Sequence, residues 1–431
     1  MKKTIAVAGL GQRGYRIYAT LFHSMPERAK VVAVADVDAE KVKEAKESLQ
    51  IAEDRCFSSA EEMLRMPKLA DAMVIATLDR QHVAQAVKAL EKGYDLLLEK
   101  PISGDLKECQ EILEAARRLG RKVVVCHVLR YSPFYRKIKE ILDSGALGEL
   151  MNIQAIENVG YWHYAHSFIR GNWRNSEETT PMIMQKCCHD MDLMVWLTGR
   201  KCESVSSFGS LGYFNKEHAP EGATAYCMGG CKAKDRCPYD AEEFYINHPE
   251  KGVANGNTEW PVNMIEQYPT VENVRAALPT NQYGRCVFHC DNNVVDHQVV
   301  NLLMEGGLTV NFTMTAFTEE ISRYSKYMGT HGQMIADMKT NVIEVERFGY
   351  PKEIIDLGTL EGHEGHGGGD AVIVPDFLDY LNGKECKGIT SLADSLESHF
   401  ICMAAEESRV QGGKVMELEA FRKSTSGFEN K

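Results

Sequence analysis

Thr4-Ile5-Ala6-Val7-Ala8-Gly9-Leu10-Gly11-Gln12-Arg13-Gly14 is the stretch from which the fold of this chain is read. Thr4 to Ala8 reads as a short buried strand. The G-x-G-x-x-G that follows opens a helix over residues 12–23, with Tyr15, Ile17, Tyr18, Leu21 and Phe22 at helical spacing. Gly9 permits the tight turn, Gly11 lets a pyrophosphate approach the backbone, and Gly14 lets helix and strand pack closely. The helix start offers free N–H groups and a partial positive charge to phosphates. A glycine turn alone is a weak signal. Here a second strand, Val31 to Ala35, leads into Asp36, 22 residues beyond Gly14. An aspartate there accepts from both ribose hydroxyls and repels a 2′-phosphate, so NAD is expected rather than NADP. The expected cofactor contacts are Gly9, Gly11, Gln12, Arg13, Gly14 and Asp36, with Asp38 in reserve.

Outward from this turn, Ala72 to Ala76, Tyr94 to Leu98 and Lys122 to Cys126 repeat the strand pattern between helix-like segments. Apolar strands alternating with amphipathic helices predict a doubly wound parallel sheet over residues 1–126. Ligands of such sheets bind beyond the carboxyl ends of the strands, which adds Thr77, His82 and Glu99 to the cofactor contacts. Lys100 follows at the same edge, placed to hold a substrate hydroxyl near a nicotinamide. Its plainer reading is a surface lysine paired with Glu99.

From residue 127 the pattern changes. Helices near 133–143 and 185–198, strand-like runs at 149–158, 286–300, 302–315 and 341–348, and helices at 370–382 and 391–411 suggest an open, mainly antiparallel sheet with helices on one face. This second α/β domain is taken as 127–431. It contains a Pro-, Gly-, Asn- and Cys-rich insert at about 213–285 with little periodicity, too long to be a plain loop. The 431 residues carry 49 basic and 61 acidic side chains, a formal charge of −12. No apolar run approaches the roughly 20 residues of a membrane span, and no basic tract suits nucleic acid or an anionic membrane. The start lacks a signal-peptide pattern. Thirteen cysteines are too sparse for a disulfide scaffold, so a reduced, cytoplasmic protein is expected.

Gly9–Gly14, Asp36, Ala76-Thr77…His82 and above all Glu99-Lys100-Pro101 resemble the Gfo/Idh/MocA oxidoreductases, the glucose-fructose oxidoreductase and inositol dehydrogenase family. The likeness continues through Val128-Leu129-Arg130-Tyr131 and Gly145-Ala146-Leu147-Gly148-Glu149 to the helix bearing His189 and Asp192. It implies a Rossmann domain followed by an α/β domain with an open, mainly antiparallel sheet. It also implies NAD(P)-dependent chemistry on sugars, cyclitols or their derivatives, usually in homodimers or homotetramers. The family's catalytic lysine maps onto Lys100 and its histidine onto His189, with Asp192 as the trailing aspartate. Where the family often has an aspartate, four residues before that histidine, this chain has Gln185, with Lys186 beside it. If Lys186 joins the site, it lowers the proton affinity of both Lys100 and His189.

Two further segments carry chemistry. Residues 161–174 read Tyr-Trp-His-Tyr-Ala-His-Ser-Phe-Ile-Arg-Gly-Asn-Trp-Arg. Tyr161, Trp162, His163, His166, Arg170, Trp173 and Arg174 offer flat faces and donors suited to a carbohydrate, or to an acidic substituent on one. The alternative is a structural loop packed on the sheet. The glycine-rich run His363 to Asp370 brings His366 to the same place or forms a simple turn capped by Asp370. In the insert, Cys227, Cys231 and Cys237 suggest a structural zinc. Its fourth ligand is Cys286 or Cys290, with His248 or His289 as further choices, against a reading as free or paired thiols. The expected activity is hydride transfer between NAD and a hydroxyl of a sugar, glycoside or cyclitol. Two alternatives remain on the same residues: a glycosidase working by transient oxidation with retained NAD, and a non-catalytic NAD-binding regulator.

Overall fold

A computed structural model describes residues 1–358 and 366–425. The first sheet contains β1 (Lys3–Ala8), β2 (Ala29–Ala35), β3 (Cys56–Phe57), β4 (Ala72–Ile75), β5 (Asp95–Leu98) and β6 (Val123–Val125). Their spatial order is β3-β2-β1-β4-β5-β6, and every pairing is parallel. This is the doubly wound order whose direction reverses between β1 and β4, the place where such sheets take a dinucleotide. The strands are apolar throughout because helices cover both faces: Ala6, Ile75 and Leu98 pack to one side, Val7, Val74 and Leu97 to the other.

The second sheet has nine strands. β7 (Leu150–Asn158), β8 (Cys202–Ser210), β9 (His297–Met304), β10 (Leu308–Thr315), β11 (Ser322–Gly329), β12 (Gly332–Asp337), β13 (Val342–Arg347), β14 (Glu353–Asp356) and β15 (Met416–Glu417) run in the order β14-β13-β12-β11-β7-β10-β9-β8-β15. All neighbours are antiparallel except β7 and β10. Alternation sets its two faces. In β9, Gln298, Val300, Leu302 and Met304 point inward, while Val299 and Leu303 point out. Helices Cys188–Thr198 and Leu392–Val410 cover the inner face.

The C-terminal part returns to the first sheet. Ile373, Val374, Phe377 and Leu378 of helix Gly369–Leu381 sit in the same apolar cluster as Ile5, Val7 and Phe22. Thr390 bonds both Val125 and Tyr131. Helix Leu392–Val410 starts against the first domain through Leu392 and Leu396 and ends under the second sheet. The two halves are therefore bolted together by a third segment.

The insert is not a bare loop. Ala241, Phe244, Tyr245, Ile246, Val262, Val274 and Leu278 form its own apolar core, joined by Trp162. A capping box between Thr270 and Asn273 starts helix Val271–Ala277. The zinc expectation finds no support here. Among the described residues, no group of three or more His, Cys, Asp or Glu side chains is placed to hold a metal. Cys227, Cys231, Cys237 and Cys286 are all free, and the Cys227 sulfur accepts from Arg170 Nη2 at 3.5 Å. Burial pushes the Cys237 thiol up to about 11. Apolar burial orders the insert.

Candidate active site

The cofactor turn has the shape its glycines require. Gly9 adopts φ +86°, and a Cβ there would lie 2.4 Å from the Ala76 carbonyl oxygen. A Cβ on Gly14 would lie 1.8 Å from the Gly9 carbonyl oxygen, whereas one on Gly11 would meet nothing within 4 Å. The helix that starts at Gln12 has no side-chain cap and no acid in its first turn, so its N–H groups are left for a phosphate. Asp36 Oδ2 accepts from Leu10 N at 2.5 Å and Oδ1 from Asp38 N at 2.9 Å, which aims its carboxylate at the turn. These residues fit a dinucleotide. Gly11→Ala is thus expected to fold normally and bind NAD less tightly, while Gly14→Ala lowers the melting temperature; melts with and without NAD separate the two.

Other residues at this edge hold one another. Arg13 donates to both oxygens of Asp370, at 2.9 and 2.6 Å, and to Glu99 at 2.7 Å, and Tyr18 donates to Glu99 at 2.6 Å. Burial opposes ionisation of Glu99 and Asp370, yet Arg13 holds both below the ordinary carboxylate range. Arg13 and Glu99 are thereby tied to the 366–370 turn rather than left open to a cofactor. His82 faces the carbonyl oxygens of Pro101 (2.7 Å) and Thr77 (3.0 Å), so it staples two strand-end turns together. Thr77 donates its hydroxyl to Gln85.

Lys100 lies at the end of β5, half-buried, and its Nζ donates to the Gln185 carbonyl at 2.7 Å. Gln185 ends a short helix, Met182–Gln185, just before the helix that carries His189. The Gln185 amide points elsewhere, to Thr179 Oγ1 at 2.5 Å and the Thr180 carbonyl. Lys186 turns to Glu157, 3.2 Å away, and Glu157 also pairs with Arg323 at 2.8 Å. His189 is 2% exposed, and neither of its ring nitrogens has a hydrogen-bond partner among the described residues. Burial, followed by the charge of Lys100, holds its imidazole well below the usual range. It is neutral at pH 7 and free to accept a proton.

His366 stands 5.4 Å from His189, ring to ring, with Nδ1 3.2 Å from Asp370. His363 to Gly365 lie outside the described residues. Asp192 does not open toward a substrate: Arg130 grips it at 2.6 and 2.5 Å, which locks the His189 helix to the turn after β6.

The aromatic segment forms helices Tyr161–Tyr164 and Ala165–Arg170 and splits in two. Trp162 and His163 form a cluster with Trp260 of the insert, at 5.2 and 5.3 Å. Burial and then the charge of Lys186 keep His163 well below the imidazole range. Tyr161 packs edge-on against Tyr239, and Trp173 is exposed. His166 meets the same Trp260 ring edge-on at 5.3 Å, while Arg170 and Arg174 are held by the insert and the residues just after it. His166 stacks on Tyr283 at 4.7 Å and bonds Tyr245; burial and then Arg170 take its imidazole to about 3. Arg170 donates to the Arg285 and Tyr239 carbonyls, and Arg174 pairs with Asp291. These long polar side chains serve the insert, because its backbone needs partners inside the protein.

Sequence reasoning passed over His127, His399 and Trp260. His127 follows β6 at the ligand-binding edge, so the strand-end rule that selected Thr77 and Lys100 would have found it. His399 and Trp260 come from mid-helix and from the insert, with no local signal.

Six histidines, His127, His163, His166, His189, His366 and His399, are held below their ordinary range by burial. Unfolded, each takes up a proton near pH 6.5, so below about that pH the unfolded state binds more protons and stability falls. The expected slope is up to about 1.4 kcal/mol per pH unit for each histidine. Glu157 and Asp192, raised by burial, oppose this in the carboxylate range. Urea titrations at about pH 7 and 5.5 test the prediction, and equal stabilities would refute it.

The comparisons with known proteins agree with this geometry. Residues 3–127 match the model of the oxidoreductase family with an NAD-binding Rossmann fold, and residues 135–229 match the GFO/IDH/MocA C-terminal domain. The chain belongs to the Gfo/Idh/MocA oxidoreductase family. It is an NAD-binding oxidoreductase by that membership. The oxidoreductase YteT of Bacillus subtilis is 24% identical over 395 residues, covering 87% of this chain and 88% of that protein. Inositol 2-dehydrogenase 4 of Saccharopolyspora erythraea is 29% identical over 47% of this chain and 56% of its own length. Among solved structures, an oxidoreductase from Agrobacterium radiobacter in complex with NAD+, L-tartaric acid and magnesium superposes with a TM-score of 0.67 at 15% identity, covering 97% of this chain and 99% of that one. The WlbA dehydrogenase of Bordetella pertussis, in complex with NADH and UDP-GlcNAcA, gives 0.66 at 17% identity over 97% and 99%. At these identities the superpositions report the fold. Among the described residues, no helix is long and apolar enough to cross a membrane.

Proposed function

We propose that this protein oxidises a hydroxyl of a sugar, cyclitol or glycoside with NAD. The observation that supports it is the approach of Lys100, from the first sheet, to the segment carrying His189, with the Lys100 charge helping to keep that buried imidazole neutral. Gly9, Gly11, Gln12, Gly14 and Asp36 are the residues to hold the cofactor, which when bound supplies the hydride acceptor. His189 takes the hydroxyl proton as general base. Lys100 faces the negative charge that develops on the oxygen. Trp162, His163 and Trp260 offer flat faces and a ring nitrogen to a polyhydroxylated ring. Relatives named inositol dehydrogenase favour this substrate class.

The test is NADH formation at 340 nm with purified protein, NAD and a panel of inositols, aldoses, uronic acids and aryl glycosides. NADH from at least one polyol is expected. Aglycone release without NADH would replace this reading by transient oxidation with retained cofactor, and no reaction with any member would favour a binding role. We further propose a homodimer or homotetramer, favoured by Val299 and Leu303 on the uncovered face of the second sheet. A monomeric mass by light scattering would exclude it.

A further inference from the structure

The insert reaches across to the first domain. Gln267 donates its side-chain amide to Glu44 Oε2 at 2.6 Å, and Glu44 belongs to helix Ala39–Leu49, which follows β2 and Asp36. Among the described residues this is the one hydrogen bond between the insert and the first domain. Seven residues earlier the chain is fixed near the other end of the cofactor edge. Trp260 packs on Trp162 and His163, just past the end of β7. Glu157, near that end, pairs with Lys186, next to the Gln185 carbonyl that holds Lys100 after β5. Val262 and Ile265, between Trp260 and Gln267, belong to the insert's own core. In the first sheet β4 and β1 lie between β5 and β2. The ends of β5 and β2 are therefore three strand spacings apart, about 14 Å. Residues 260–267, with the single turn Val262–Met264 among them, span at most about 20 Å. That length covers the gap with little slack.

We propose that residues 260–267 are a strap over the cofactor crevice, latched by Gln267 to Glu44, and that opening this latch sets how fast NAD enters and leaves. The strap leads from the Lys100 end of the crevice to its Asp36 end, past the turn Gly9–Gly14 that follows β1. The domains do not need the latch to stay together. Arg80 donates to the Ser176 carbonyl at 3.0 Å, Thr180 donates to Asp79 at 2.9 Å, and helix Leu392–Val410 packs on both halves. Nor does Glu44 need it for charge balance. Arg16, from the helix that the glycine turn opens, lies 2.9 Å from its other oxygen. What the bond holds is the far end of the segment. An amide bond to a carboxylate is stronger than one between neutral groups, yet only one has to break for this end to lift. Tyr268, beside the latch, is 68% exposed, so lifting uncovers little apolar surface there. The inference rests on NAD binding and on no choice of substrate.

The test is stopped-flow release of NADH from the full chain, read as the fall in NADH fluorescence when excess NAD displaces it. Gln267→Ala is expected to release NADH about ten times faster than wild type, the effect of one lost hydrogen bond to a charged group, with the melting temperature nearly unchanged. Entry, followed at rising NADH concentration, is expected to quicken as well, because a strap that blocks one direction blocks both. Gln267→Lys, whose ammonium can donate to the same carboxylate, is expected to restore slow exchange. Glu44→Gln weakens the latch from the other side and replaces Gln267→Ala if that variant does not fold. Release from Gln267→Ala within about twofold of wild type overturns the proposal. Equal acceleration in the Ala and Lys variants overturns it too, because loss of the glutamine's packing would explain both. Faster release with unchanged entry would make Gln267 an ordinary contact of the cofactor and remove the strap. A wild type that binds no NADH refutes the cofactor reading itself, whereas unchanged exchange in a protein that binds NADH refutes only the latch.

Discussion

Lys100→Met lowers turnover about a hundred- to a thousandfold on any polyol that the wild type oxidises, with NAD affinity nearly unchanged. The methionine keeps the length and apolar stem of the lysine and removes only the ammonium. That ammonium donates to the Gln185 carbonyl and faces the site from the end of β5. It does not belong to the glycine turn, so the dinucleotide contacts survive its loss. Its charge also helps to keep His189 neutral, so the substitution has a second signature. In Lys100→Met the His189 midpoint rises toward the ordinary imidazole range, and the acid limb of the remaining activity shifts to higher pH with it. Steady-state kinetics across pH and calorimetric NAD titration measure both effects. Turnover within about threefold of wild type would remove Lys100 from the reaction.

The largest loss of stability is expected from Arg130→Met. Arg130 and Asp192 are both buried, and the guanidinium holds both carboxylate oxygens. Removal of one partner leaves a charge in the interior with nothing to balance it, at a cost of about 3–5 kcal/mol. Burial already raises the Asp192 carboxyl, and Arg130 is the group that pulls it back. Without Arg130 the acid protonates more readily. The loss is therefore greatest at neutral pH and shrinks as the pH falls toward the carboxylate range. The double variant Arg130→Met/Asp192→Leu should recover much of it, because an apolar pair needs no charge balance. Urea titrations of the single and double variants measure this, and a loss below about 1 kcal/mol would mean that water reaches Asp192.

The first domain was legible because its signals are local. The glycine turn, the strand that precedes it and Asp36 each follow from a few neighbouring residues, and apolar runs announce strands covered on both faces. Much of the second sheet was not legible. β8 (Cys-Glu-Ser-Val-Ser-Ser-Phe-Gly-Ser) and β11 (Ser-Arg-Tyr-Ser-Lys-Tyr-Met-Gly) carry serines and charges on inner as well as outer positions. Arg323, for example, points inward because Asp190 and Glu157 wait for it there. The insert shows little periodicity because its core residues are spaced irregularly, and only folding gathers Phe244, Tyr245, Val262 and Val274.

What the sequence determined alone was the dinucleotide turn with its acidic partner, the parallel sheet, and the residue types at the strand ends. Each rests on backbone geometry repeated over a few residues, where side-chain pattern and local conformation constrain one another. The tertiary structure decided which of the cations and histidines are spent. Arg13, Arg130, Arg170, Arg174 and Lys186 are all paired by acids or carbonyl oxygens from distant segments, while the ring nitrogens of His127 and His189 have no partner among the described residues. Pairing of this kind depends on distances of a few ångströms between residues up to several hundred positions apart. No local pattern encodes those distances.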